Sequence, residues 1–258
     1  MKFRVYRALA RGVVLEAIRR KDLWVVAILG FLIMMTAGLL GFFGIQGLQV
    51  FVKDLAVSVL GIFGTIIAVL TACRMIPDEI RQRTLYPLLS RPISRLDLLV
   101  GKLCGAMAVT WIAFLMLAFL TAFALLSFHF HFEWIMVQYV LCKMLGLAVV
   151  CALGLAFSAY MTPSAAATMT FILAFGSGMI VHAMTMAYAG ATPVAQFGMK
   201  SLNALLPQLS LFDLGSRAAN VNWTPVPIWV VLFLFGYGFL YVSAMLGVAW
   251  VRFWRQPL

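Results

Sequence analysis

The chain has 258 residues, of which 64% are hydrophobic and only 10% charged, with a mean hydropathy of +1.05. That is too apolar for a soluble globular domain and marks a membrane protein with several spans. A net charge of +11 would suggest nucleic acid in a soluble chain, but here the basic residues cluster at the ends of apolar runs, where orientation in a membrane accounts for them. Nucleic acid is therefore excluded as a partner.

Between Lys2 and Lys21, Arg4, Arg7 and Arg11 recur at helical spacing beside an apolar stripe of Tyr6, Leu9, Val13 and Ile18. The pattern predicts an amphipathic interfacial helix over residues 1–22, whose basic residues also fix orientation. The apolar run that follows is too long for a signal-peptide core and lacks a small-residue cleavage site, so it is expected to be retained. A first span is expected over about 23–43, near the roughly 20 residues a bilayer requires. Gly38, Gly41, Gly44 and Gly47 then recur every third residue, either as a smooth packing face or as the start of the outer loop. Lys53 and Asp54 precede a second span over about 56–76.

The next stretch, PDEIRQRTLYPLLSRPISRLDLLVGK from Pro77 to Lys102, carries charge between two apolar runs and must lie in water at one membrane face. Pro77, Asp78 and Glu79 stand where a helix would start, since proline fits a first turn and carboxylates favour the positive N-terminus. Ile80, Leu85, Leu88 and Leu89 offer an apolar edge, with Arg81 and Arg83 beside it. A break is expected near Tyr86, because Pro87 disfavours helical geometry in the residue before it. Ser94 and Asp97 then have capping-box-like spacing for the next helix.

This run, through Glu79, Thr84-Leu85, Leu88-Leu89-Ser90-Arg91-Pro92, Ser94-Arg95 and Gly101-Lys102, resembles the cytoplasmic signature of ABC exporter permeases of the ABC-2 type, with Arg83 where the family usually has glycine before the Thr-Leu pair. The resemblance implies a coupling helix that docks into a groove on a separate ATPase subunit. It makes Glu79, Arg81, Arg83, Thr84, Leu85, Leu88, Leu89 and Arg91 the expected coupling surface. A plain basic loop held by anionic lipid is the alternative, but charge alone would not require Leu88 and Leu89. In the same family an amphipathic helix leads into the first span, as expected here for residues 1–22.

The third span is expected over about 97–128, longer than a bilayer requires. The HFHFEW segment brings His129, His131 and Glu133 together at the outer face, but the spacing is not a helix-face pair and no fourth ligand is defined, so an interfacial turn is expected and no metal site. The fourth span covers about 134–160 and contains Lys143, which either lines a translocation path or snorkels to the headgroups. A tight turn at Met161-Thr-Pro-Ser164 leads to the fifth span, about 165–188. Gly176, Ser177 and Gly178 near its centre would permit close approach of a second subunit, while Met169, Met179, Met184 and Met186 read as adaptable packing. From about 190 to 227 the chain leaves lipid. Leu202, Leu205, Leu206 and Leu209 form a helical stripe there, and the Leu206 to Asp213 run resembles the family's outer re-entrant or interfacial helices. Asn222-Trp-Thr224 is a weak glycosylation match. The last span covers about 228–251.

The fold class that results is an all-α membrane protein of six spans with both termini in the cytoplasm. Of the 19 lysines and arginines, only Lys53, Lys143, Lys200 and Arg217 are not cytoplasmic or at the inner boundary under this topology. Trp134, Trp223 and Trp229 fall near outer boundaries and Trp24, Trp250 and Trp254 near inner ones, as an aromatic belt requires. Cys73, Cys104, Cys142 and Cys151 contain no CxxC pair and read as small core residues. Gly101-Lys102-Leu103 lacks the glycine and hydroxyl of a phosphate loop, so no catalytic residue is assigned and no ATP hydrolysis by that route is expected.

The resemblance implies no cofactor on this chain, with ATP and Mg held by two partner ATPase subunits. It implies a second permease copy or relative, surrounding membrane lipids and a bacterial inner-membrane location, and leaves a periplasmic partner open. Cargo would leave the cytoplasm or inner leaflet by alternating access, with a mild preference for a lipid or hydrophobic compound. Two other classes stand beside this: an integral membrane lipid-modifying enzyme using His129, His131 and Glu133, for which few intramembrane titratable groups exist, and a secondary transporter, for which no repeated halves are seen. Dependence on ATP separates the first class from both.

Overall fold

The computed structural model describes residues 12–15, 28, 30, 32, 35, 48–81, 95–127, 134–188, 193–219 and 226–255. Among these residues every regular element is helical: α1 (Leu48–Arg81), α2 (Arg95–Ser127), α3 (Trp134–Ser158), α4 (Pro163–Tyr188), α5 (Pro193–Leu205), a 3-10 turn (Leu209–Phe212), α6 (Gly215–Ala219) and α7 (Ile228–Arg255). Five are long and apolar enough to cross a membrane, over Val52–Met75, Leu96–Phe123, Trp134–Ser158, Pro163–Tyr188 and Ile228–Arg252. They fall within a few residues of the second to sixth expected spans. The expected first span and N-terminal helix lie outside the described residues, apart from helical positions at 12–15, 28, 30, 32 and 35.

Two expected boundaries are corrected, and proline decides both. Pro77 does not open a separate helix, because α1 runs through it to Arg81. So near the helix end the missing N–H removes a single bond, and the helix accommodates it. In the outer segment the leucine stripe does not form one helix: α5 stops at Leu205, and Leu209 belongs to a separate 3-10 turn. Pro207 disfavours helical geometry at Leu206 and separates the two.

Helix α3 is the centre of the bundle. Of its apolar stretch 67% is buried within the chain, against 17% for α4 and for α7. Helices α1 and α3 run parallel and in register: the Tyr139 hydroxyl donates to Val57 O at 3.0 Å, Gly64 meets Leu147, and Gly154 meets Ala72 and Cys73. The approach depends on glycine, since a Cβ at Gly154 would stand 2.9 Å from Ala72 Cβ and 3.0 Å from Cys73 Sγ. Helix α2 joins through Trp111, whose Nε1 donates to Met144 O at 2.9 Å, and through Phe114, fully buried against Gly64. Helix α4 crosses α1 where Thr170 Oγ1 lies 3.6 Å from Cys73 Sγ. Cys73, Cys142 and Cys151 are buried, as small core residues should be, whereas Cys104 is exposed.

Helix α7 lies along the other side of α3, with Gly238 near Val149 and Val248 O accepting from the Tyr160 hydroxyl at 3.1 Å. Trp134 and Trp229 stand exposed in the first turns of α3 and α7, at the same end of the bundle, and Trp250 is exposed toward the other. Met169, Met179 and Met186 are turned outward from the bundle.

The α1–α3 contact yields a direct test. Gly154→Val is expected to destabilise the chain by about 1–3 kcal/mol through overpacking. Thermal unfolding in one detergent checks it, and an unchanged midpoint would mean that the two helices do not meet at Gly154.

Candidate functional site

The segment before α7 is held far inside the bundle. Tyr241 donates its hydroxyl to Leu206 O at 3.2 Å, and the Tyr237 hydroxyl accepts from Gln208 N at 3.1 Å. From Ile228 to Tyr241 a helix rises about 20 Å, so residues 206–208 sit well below the start of α7. Phe212 is buried against the Tyr237 ring, with centroids 6.0 Å apart, and fills the space left by Gly146, where a Cβ would stand 2.9 Å from Phe212 Cβ. The way back out is fixed by Gln138, whose Nε2 donates to Val226 O and whose Oε1 accepts from Val226 N, both at 2.9 Å. Buried backbone groups require partners, and one side-chain amide satisfies both of these.

Lys143 points into this arrangement. Its Nζ donates to Asp213 Oδ2 at 2.7 Å, while Asp213 Oδ1 accepts from Gly215 N at 3.0 Å. The lysine side chain is 13% exposed and the aspartate 46%, so the cation is the deeper partner and the carboxylate keeps contact with the outside. A charged amine among apolar helices is costly unless paired, and the pair removes most of that cost.

Beneath the ion pair lies a cavity of about 170 Å³ between α1, α3, α4 and the 3-10 turn. Lys143, Asp213 and Ser210 form its polar rim, and Leu147, Val150 and Phe175 are among its apolar walls. Thr65 faces it with its hydroxyl already donating to Gly61 O at 2.7 Å. Ser177 also lines it and is 1% exposed, and among the described residues its Oγ is the buried side-chain polar atom with no hydrogen-bond partner. Ser177 and Gly178 thus face their own chain, Gly178 lying against Ser210, whereas a Cβ on Gly176 would meet only Ile172 and Ile180 of its own helix.

Of the residues expected to form the coupling surface, two fall on a described helix. Helix α1 brings Glu79 and Arg81 into its last turn. Arg83, Thr84, Leu85, Leu88, Leu89 and Arg91 lie outside the described residues, as do His129, His131 and Glu133. The Arg252 guanidinium lies 5.5 Å from the centre of the Tyr160 ring, which anchors α7 to the α3–α4 turn.

Asp213, Ser177 and Gln138 were not singled out from sequence as site residues. One signal was available for Asp213: an intramembrane lysine needs a carboxylate, and of the eight acidic residues only Asp54, Glu133 and Asp213 lie on the outer side of the expected topology. No local pattern distinguishes Ser177 from any other serine in an apolar helix.

Residues 8–258 match the family model described as ABC-2 family transporter protein. None of the curated proteins compared matches the chain.

The ion pair can be weighed by a double-mutant cycle. Lys143→Met and Asp213→Ala are each expected to lower thermal stability in detergent, and the double variant to lose less than their sum, with a coupling of about 1–3 kcal/mol, between exposed and buried pairs. Additive losses would mean that the pair does not hold the segment.

Proposed function

The chain belongs to the ABC-2 transporter family, and on that premise we propose that it is the permease subunit of an ATP-driven exporter. Membership and the apolar helices make it a multi-pass membrane protein of the transport class. Permeases of this family generally do no chemistry themselves and typically work with an ABC ATPase. We propose two ATPase copies here, a second permease chain, a bacterial inner-membrane location and both termini in the cytoplasm.

In this reading, ATP-driven closure of the ATPases pushes on the segment from Glu79 to Arg91. That segment joins α1 to α2, and α1 is locked in register with α3 through Gly64, Gly154 and Tyr139. Movement at the coupling end would thus reach the walls of the cavity as a shift of packed helices, moving the population between inward-open and outward-open states. The segment from Leu206 to Asp213 is the re-entrant part of the outer surface. The single observation that carries the proposal is the family match over residues 8–258.

Co-purification tests it. The chain should recover its ATPase from membranes, and Leu88→Asp with Leu89→Asp should abolish recovery while leaving the permease folded. Failure to recover any ATPase, or a complex indifferent to both changes, would contradict the proposal.

A further inference from the structure

The cavity beneath the Lys143–Asp213 pair has an uneven set of hydrogen-bonding groups. An ammonium carries three N–H donors, and Asp213 takes one of them. Ser177 Oγ has no partner although its residue is 1% exposed, which is a costly state for a hydroxyl left alone. Each oxygen of Asp213 accepts one hydrogen bond, from Lys143 Nζ and from Gly215 N. Two donors of Lys143 and the Ser177 hydroxyl are therefore open toward the cavity, while solvent meets the remaining lone pairs of the half-exposed carboxylate. The group that completes them is an acceptor carrying negative charge, since the cation is the buried member of the pair and the carboxylate the exposed one.

The space and its walls describe the rest of the ligand. A volume of about 170 Å³ is comparable to the ~150 Å³ cavity that holds a benzene ring, so a small charged headgroup fits and a large one does not. On the α4 side the wall is Phe175, exposed and paired with Phe171 at 4.6 Å between ring centres, on a helix that buries little of itself in the chain. An apolar tail leaving the cavity would pass along these rings into the bilayer. Another cavity, about 200 Å³ between α1, α2 and α3, offers no such chemistry: the Thr121 hydroxyl donates to Leu117 O and the Tyr139 hydroxyl to Val57 O.

We propose that the cavity bounded by Thr65, Lys143, Ser177 and Asp213 binds the anionic headgroup of a single-chain amphiphile, a carboxylate or phosphate oxygen accepting from Lys143 Nζ and Ser177 Oγ while the chain lies along Phe175. The transport reading supplies only the consequence, that such an amphiphile is the class of cargo carried. Asp213 then acts as a negative neighbour that weakens the ligand's hold, and Ser177 serves binding alone, because its hydroxyl supports nothing in the empty protein.

Equilibrium binding of radiolabelled oleate to the purified full chain, without ATPase, tests this, with methyl oleate and inorganic phosphate as competitors. Oleate should bind saturably, methyl oleate should compete at least about tenfold more weakly, and phosphate should compete only far above the oleate concentration. Ser177→Ala should weaken binding about threefold while leaving the melting temperature of the empty chain unchanged or higher. Asp213→Asn, which keeps the side-chain shape and removes a like charge, should tighten it about fivefold. Equal competition by methyl oleate would overturn the anionic headgroup, and equal competition by phosphate would overturn the amphiphile in favour of a free anion. Wild-type affinity in both variants would overturn the site itself. None of these results depends on ATPase recovery, so this proposal and the exporter reading fail separately.

Discussion

An ammonium and a carboxylate 2.7 Å apart govern how the upper half of this bundle is assembled. Lys143 lies on the most buried of the described spans, beside the apolar walls of Leu147 and Val150. Its charge is tolerable only with a partner, and the partner comes from a segment more than sixty residues away in sequence. Drawing Asp213 in draws the whole run from Leu206 with it, and every other feature of that run serves its depth. Gly146 leaves room for Phe212, Tyr237 and Tyr241 satisfy part-buried backbone groups, and Gln138 closes the exit at Val226. Irregular backbone at such depth is stable because protein groups satisfy it.

Much of the architecture was legible in the residues because spans are long, apolar and bounded by charges. Trp134, Asp97 and the Met161 to Ser164 turn mark their ends in sequence as they do in the fold. What failed to read was local and concerned proline: the same residue type ends one helix at Leu205 and is carried inside another at Pro77, and the difference lies in where each helix would otherwise stop. The candidate site was half visible. A lone lysine in an apolar run announces itself, but its partner depends on tertiary depth, and the unpaired hydroxyl of Ser177 can be recognised only once its surroundings are known. The proposed coupling residues present the reverse case, in which a linear motif carries the proposal.

The two ends of the molecule are linked by the parallel α1–α3 pair. Its contacts are close and depend on glycines, which leaves little room for one helix to slide on the other. A force applied near Glu79 would therefore move α1 and α3 together against α4, which buries less of itself in the chain. The cavity lies at that boundary, between Lys143 on the one side and Ser177 on the other. In the proposed cycle, opening and closing there is how ATP hydrolysis at a partner subunit reaches the cargo.

The most direct measurement of this coupling is a spin-label distance between α4 and the 3-10 turn, using Met179→Cys and Leu211→Cys, both exposed, with the exposed native thiol removed as Cys104→Ser. The chain would be placed in lipid nanodiscs with its ATPase and compared without nucleotide and with ATP trapped by vanadate. The account predicts distance distributions that differ between the two states, and that lose the difference when Leu88 and Leu89 are changed to aspartate. Identical distributions with and without trapped nucleotide would contradict it.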